Sequence, residues 1–272
     1  MDRYAVIGHP VDHSLSPRIH AAFAEQTGAA MAYGRIDPGP DGFAVAMRAF
    51  LAEGGCGLNV TVPFKAEAFA EVDHATAAVR RAGVVNTISR QSDGTVHGDN
   101  TDGIGLVRDL TDNLGVPLTA SRVLLVGAGG AVRGTLPALL ALAPDEVVIA
   151  NRTAARATAL AEEFADLGPT RGCGFDGLAA AAPFDVVING SAASLGGALP
   201  PLDPAVLRTG AVVYDMMYGE AARPFLDWAT RHGAGVVADG LGMLVEQAAE
   251  SFNIWRGGRP DAAGVLYALR ES

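Results

Sequence analysis

Lysine is nearly absent from this chain. Of 272 residues only Lys65 carries an ε-ammonium, among 20 Lys and Arg together. Arg supplies every other long cationic side chain. An Arg stays protonated at any working pH, whereas a lysine in a desolvated setting can release and regain a proton. A solitary lysine is therefore a candidate for proton chemistry, although codon bias with one leftover surface charge leaves the same trace. Cysteine is as scarce. Cys56 and Cys173 lie far apart with no CxxC or Cys/His spacing, which excludes a disulfide framework and a zinc site. A basic surplus is also missing: the formal charge is −10, which speaks against nucleic acid or an anionic membrane as partner. A small anionic ligand stays open, because a few placed donors act locally. No apolar run of about 20 residues is present to span a bilayer. The chain enters a strand-like run, 4–8, directly after Asp2 and Arg3 with no signal peptide, so a cytoplasmic protein is expected.

What is there is 49% hydrophobic residues with 34 glycines, the composition of a folded α/β protein. Strand-like runs are expected at 4–8, 31–36, 57–61, 84–88, 123–127, 147–150, 186–189, 212–214 and 235–237. Helical patterns fall between them at 17–26, 43–53, 103–114, 130–143, 154–165, 224–232 and 241–256. Regular alternation predicts largely parallel sheets covered by helices. Ser16 before Pro17 reads as a helix N-cap, and Asp239 as the cap of the long penultimate helix. Strand character changes at 114–120, where a boundary is expected. Earlier strands carry Asn59, Thr61, Asn86 and Thr87, while later ones are continuous apolar runs, as in strands buried on both faces.

One of those buried strands runs into Gly127-Ala128-Gly129-Gly130-Ala131 and then a helix. Glycines there let a pyrophosphate approach the backbone and the helix N-terminus. Val132 occupies the third glycine position of the strict GxGxxG spacing, so the match is to a GxGGA variant. An NAD site expects an acid about 20–25 residues on. Here stand Asn151, Arg152, Thr153 and Arg156 instead. Guanidinium groups suit a 2′-phosphate, and cations at a helix start oppose the dipole unless an anion joins them. This pattern predicts NADP.

The polar tracts of the first half read individually as turns and caps. Taken in order they are Gly8-His9-Pro10 with Ser14-Leu15-Ser16-Pro17, Asn59-Val-Thr61-Val-Pro63-Phe-Lys65, Gly83-Val-Val-Asn86-Thr87 and Gly98-Asp-Asn-Thr-Asp102-Gly103. With Gly127–Ala131, Asn151-Arg-Thr153 and Ala238-Asp-Gly240-Leu-Gly242-Met243-Leu-Val-Glu-Gln247, the series resembles the shikimate dehydrogenase family over nearly the whole chain. The resemblance implies an α/β protein of two domains: a substrate-binding domain, 1–103 plus 241–272, and a Rossmann-like NADP domain, 104–240. The C-terminal helices return to the first. It implies NADPH-dependent, reversible reduction of 3-dehydroshikimate to shikimate, in chorismate and aromatic amino acid biosynthesis, without a metal.

By the same resemblance Lys65 and Asp102 are the catalytic pair. Ser14, Ser16 and Tyr218 grip the substrate carboxylate, and Thr61, Asn86 and Gln247 bind ring hydroxyls. Gly127–Ala131, Asn151, Arg152, Thr153 and Arg156 hold the nucleotide, and Met216 and Gly240 line the nicotinamide. Two departures stand out: Asn189-Gly-Ser-Ala-Ala-Ser194 replaces the usual Asn-Ala-Thr-x-x-Gly, and Ala77 replaces an acid. A quinate/shikimate or aminoshikimate dehydrogenase, or a silent NADP-binding sensor, remain the rivals. The oligomeric state is left open, a homodimer among the options.

Overall fold

Two six-stranded sheets organise the chain, which is described over residues 1–191 and 198–271 in a computed structural model. The chain begins with β1 (Asp2–Ile7), α1 (Ser16–Thr27), β2 (Met31–Ile36), α2 (Phe43–Ala52), β3 (Gly55–Val60) and α3 (Lys65–Ala70). Then come β4 (His74–Ala75), α4 (Ala77–Ala82), β5 (Thr87–Arg90), β6 (Val96–Asp99) and α5 (Asp102–Arg108). A single π-helical stretch, Asp109–Asn113, continues α5. The next part is β7 (Arg122–Val126), α6 (Gly130–Leu140), β8 (Glu146–Ala150), α7 (Ala154–Phe164), β9 (Thr170–Cys173), β10 (Phe184–Asn189), β11 (Leu207–Asp215), α8 (Arg223–Arg231) and β12 (Val236–Asp239). Helices α9 (Leu241–Arg256) and α10 (Ala262–Arg270) close the chain.

These elements pack as two units, Met1–Gly105 with Leu244–Ser272, and Leu106–Met243. The change of unit falls inside α5 and α9, not at 114–120. That segment marks only where strands become buried on both faces.

In the first unit the sheet order is β2-β1-β3-β5-β6-β4. Strands β1, β2 and β3 are parallel, but β3–β5 and β5–β6 run antiparallel, so this sheet is mixed rather than largely parallel. The β5–β6 pair follows from the hairpin turn at Asp93-Gly94, where Gly94 takes φ 90° and Gln91 N–H bonds the Thr95 carbonyl at 2.8 Å. Residues 84–86 are not strand: the Val85 and Asn86 N–H groups bond outward to the Lys65 and Asp99 carbonyls.

The C-terminal helices belong to this unit. Val245, Ala248 and Phe252 of α9 pack with Ile19 and Phe23 of α1 and Val265 of α10. This is the apolar face that the helical spacing predicts. Trp255 adds an anchor, donating its Nε1–H to the Ile88 carbonyl at 3.0 Å and stacking on Tyr4.

The second unit has the order β12-β11-β10-β7-β8-β9, all parallel. Numbered from β7, this is the doubly wound 3-2-1-4-5-6 arrangement, whose crevice opens where the order reverses, between β7 and β10. Leu124, Val126, Val148, Val187 and Val213 form its core. Near the start of α9, the buried Tyr214 hydroxyl donates to Asp109 at 2.6 Å and accepts the Met243 N–H at 3.3 Å. Burial and the Asp109 charge push that phenol well above its ordinary range. The Asp239 carboxylate accepts the Leu241 N–H at 3.3 Å, serving α9 as expected.

Candidate active site

Lys65 does not end a strand. β3 stops at Val60, and after a turn Lys65 is the first residue of α3. Its ammonium meets the Asp102 carboxylate at 2.5 Å, with the two side chains only 14% and 6% exposed. Asp102 opens α5, its N–H bonded to the Asn100 side chain at 3.0 Å. The second Asp102 oxygen accepts from Asn86 Nδ2 at 2.9 Å. The Asn86 amide has one possible orientation, because its oxygen accepts the Thr101 backbone N–H at 2.8 Å. Its NH₂ group therefore faces the carboxylate. Gln247 lies within reach of both Asn86 and Thr101 at 3.3 Å, and its own NH₂ bonds the Leu244 carbonyl at 2.8 Å. A paired ammonium and carboxylate, sheltered and oriented on one side by an amide, can bind a carbonyl or hydroxyl oxygen and exchange a proton with it.

Ser14 and Ser16 form a second polar group in this unit. Their hydroxyls are 3.2 Å apart, and Ser14 Oγ accepts the Ser16 N–H at 3.3 Å. Ser16 is not the N-cap of α1. Leu15 holds that position and Ser16 is the first helical residue, which leaves its hydroxyl unused by capping. Arg35 braces the loop through the Ser14 carbonyl at 2.7 Å. Thr61 sits between β3 and α3 with its N–H on the Ile7 carbonyl, and its hydroxyl makes no bond among the described residues. Tyr218 is half-buried in the second unit and is not among the residues the first unit gathers.

Beneath these groups lie polar residues to which the sequence assigned no site role, although Asn59, Thr87 and Thr101 stand within its motifs: Tyr33, Asn59, Thr87, Thr101 and Ser251. Tyr33 OH donates to Asn59 Oδ1 at 2.7 Å, and Asn59 Nδ2 donates to Ser251 Oγ at 2.9 Å. The available signal was a polar residue on an otherwise apolar face, Asn59 in β3 and Ser251 in α9. His20 stacks on Tyr33 with ring centroids 4.1 Å apart, and among the described residues neither of its nitrogens has a hydrogen-bond partner. Burial lowers its pKa from 6.5 to about 3, opposed in part by the nearby Asn59 amide, which is outside hydrogen-bond geometry. Between those values the unfolded chain binds a proton that the folded one refuses. Stability from this group is therefore complete above pH 6.5 and falls towards pH 3, with a slope of up to about 1.4 kcal/mol per pH unit. Denaturation midpoints measured against pH should fall more steeply for the wild type than for His20→Phe. Parallel curves would contradict this.

In the second unit the glycine turn follows β7. Gly127 has φ 110°, and a Cβ there would come within 3.1 Å of Gly190 and Ser191 at the end of β10. The turn therefore lies at the crevice where strand order reverses. Gly129 is the N-cap of α6 and offers no side chain, so the first N–H groups of this eleven-residue helix carry no side-chain cap. Asn151 follows β8, and its side-chain NH₂ bonds the Thr153 carbonyl at 3.1 Å. Arg152, Thr153 and Arg156 are exposed at the start of α7, whose N-cap Thr153 makes no capping bond. Among the described residues neither the Arg152 nor the Arg156 guanidinium has an ion pair or hydrogen bond; the Arg156 backbone N–H bonds the Thr153 carbonyl at 3.0 Å. Two unpaired guanidinium groups at the positive end of a helix fit a phosphate ligand. Met216 and Gly240 meet after β11 and β12: a Cβ on Gly240 would stand 2.2 Å from the Met216 carbonyl oxygen. The altered loop after Asn189 lies, from Ala192 to Ser194, outside the described residues. Ala77 starts α4 behind an N-capping Thr76.

Among the described residues no group of three or more His, Cys, Asp or Glu side chains could hold a metal, and no helix is long and apolar enough to cross a membrane.

Comparison with known proteins bears on the whole chain. The shikimate dehydrogenase substrate binding domain matches residues 6–88, the shikimate/quinate 5-dehydrogenase family residues 109–195, and the shikimate 5′-dehydrogenase C-terminal domain residues 240–270. The NADP-dependent shikimate dehydrogenase of Alkalilimnicola ehrlichii is 60% identical over 99% of this chain and 98% of that protein. A crystal structure of an enzyme from Pseudomonas putida is 44% identical, with TM-score 0.90 over 99% of this chain and 98% of that one. The shikimate 5-dehydrogenase of Thermus thermophilus, solved with NADP(H) and shikimate, is 32% identical with TM-score 0.84, over 100% of this chain and 99% of that one.

Proposed function

The chain belongs to the shikimate dehydrogenase family, and we propose that it reduces 3-dehydroshikimate reversibly to shikimate with NADPH, using Lys65 and Asp102 as its catalytic pair. The observation that carries this reading is the 2.5 Å contact between the only lysine and a carboxylate already held by Asn86. Lys65 donates a proton from Nζ to the substrate carbonyl oxygen during reduction and takes it back in the reverse direction. Asp102 holds the ammonium in place and binds the hydroxyl that forms. Ser14 and Ser16 hold the substrate carboxylate, while Thr61, Asn86 and Gln247 bind the ring hydroxyls.

The second unit's residues fit NADP. The glycine cradle at Gly127–Ala131 takes the pyrophosphate on the N-terminus of α6. Arg152 and Arg156, with Asn151 and Thr153, clamp the 2′-phosphate, and Met216 and Gly240 flank the nicotinamide. When bound, that ring supplies the hydride. Substrate and cofactor are both small polar metabolites, and a cytoplasmic location is part of this proposal.

The test sets shikimate against quinate, each with NADP and with NAD. Turnover should be highest for shikimate with NADP. The missing acid at the ribose position and the paired arginines both point that way. Preference for quinate with NAD would sink the reading in favour of its relative.

A further inference from the structure

We propose that Tyr33, Asn59 and Ser251 form a buried positioning relay that aims the Asn86 amide, and through it Asp102, for the reaction; the inference rests on the function proposed above.

Donors and acceptors can be assigned along it. Tyr33 OH donates to Asn59 Oδ1 at 2.7 Å, which turns the Asn59 NH₂ towards Ser251 Oγ at 2.9 Å. Ser251 and Thr87 hydroxyls are 2.8 Å apart, and Thr87 Oγ1 lies 2.8 Å from the Asn86 carbonyl oxygen, which can only accept. The Thr87 proton therefore goes to Asn86, and Thr87 accepts from Ser251. Asn86 then donates to Asp102 Oδ1 at 2.9 Å. From Tyr33 to Asp102 every donor points the same way, towards the carboxylate, and such chains polarise each bond in turn. Burial keeps the Tyr33 phenol neutral, so it stays a donor, with Ser16 opposing the shift in part. Ser16 is thus a polar neighbour of the relay's far end.

Position in the chain supports a role beyond packing. Asn59, Asn86, Thr87, Thr101 and Ser251 are all buried, and Ser251 Oγ also lies 3.0 Å from the Gln247 carbonyl, a second and longer acceptor for the proton it gives Thr87, and 3.1 Å from Thr101 Oγ1. It therefore links the helix bearing Gln247 to the start of β5, next to Asn86. An apolar residue would fill the same space, but it would remove the shortest partner of the Asn59 NH₂ and leave it only its 3.3 Å contacts to Thr87 and the Asn86 carbonyl.

The test measures Ser251→Ala, Tyr33→Phe and the double variant in the full-length protein. Readouts are kcat, KM for shikimate, KM for NADP and thermal unfolding. Each single variant should lower kcat about tenfold, as small misplacements near a reacting group do, with KM for NADP within about twofold. The double variant should lose little more than the worse single one, because the relay is already broken. Ser251→Thr, which keeps the hydroxyl, should recover most of the rate. Folded variants with wild-type kcat, or losses that multiply in the double, would overturn the relay. If Ser251→Ala fails to fold, Tyr33→Phe decides alone, since its ring retains the stack on His20. Wild-type turnover of shikimate with NADP keeps the two ideas apart. If it occurs and the variants match it, only the relay falls; if it is absent, the functional reading falls and takes the relay with it.

Discussion

Replacing Lys65 by alanine is expected to lower kcat by about 10²- to 10⁴-fold, the range of positioned acid–base catalysis, while nucleotide affinity stays within about twofold. The ammonium is 2.5 Å from Asp102, and both side chains are largely withdrawn from water. Removing it takes away the proton donor and leaves a buried carboxylate whose remaining side-chain donor, among the described residues, is Asn86. Losing one partner of such a pair costs about 3–5 kcal/mol in general, so folding must be checked by thermal unfolding alongside the kinetics. Lys65→Arg separates charge from proton transfer. The guanidinium restores the ion pair but holds its protons at any working pH, so this variant should fold well and remain nearly inactive. A Lys65→Ala enzyme with near-normal turnover would refute the assignment.

Arg152→Ala is expected to raise KM for NADPH by about tenfold and to leave KM for 3-dehydroshikimate within about twofold. A charge-assisted hydrogen bond contributes about 1.5–3 kcal/mol, equivalent to about 10- to 100-fold in affinity. Arg152 is exposed, so solvent screening places the effect at the lower end. The control is NADH, which lacks the 2′-phosphate: its weak binding should not change. A loss shared equally by NADPH and NADH, or by nucleotide and substrate, would remove the clamp from the account. Raising salt should weaken NADPH binding by the wild type more than by the variant.

These expectations came largely from local features, and the reasons are physical. A glycine turn after a buried strand, and arginines where an acid is otherwise expected, are short-range patterns. The second unit's strands and helices sit where such patterns place them, except β9, a short edge strand that no run announced. The first unit was harder to read. Asp93-Gly94 announces the hairpin that reverses β6, yet the short strands β4 and β6 lack a clear alternation. Lys65 lay outside the expected elements and starts a helix, because Pro63 and Phe64 complete a turn first. The relay was beyond reach for a different reason. Asn59 and Ser251 are 192 residues apart in sequence, and only tertiary packing makes a serine on an apolar helix face the partner of a strand asparagine. The same holds for Trp255, whose ring nitrogen reaches Ile88 across 167 residues.

The central claim is that this chain transfers reducing equivalents from NADPH to 3-dehydroshikimate rather than merely binding the nucleotide. A single-turnover experiment addresses it: excess enzyme carrying NADPH is mixed with 3-dehydroshikimate, and loss of reduced nicotinamide is followed in time. Stoichiometric oxidation in the wild type is predicted, with Lys65→Ala slowed by orders of magnitude at unchanged NADPH binding. Tight NADPH binding with no oxidation in the wild type would contradict the account and leave a nucleotide sensor in its place.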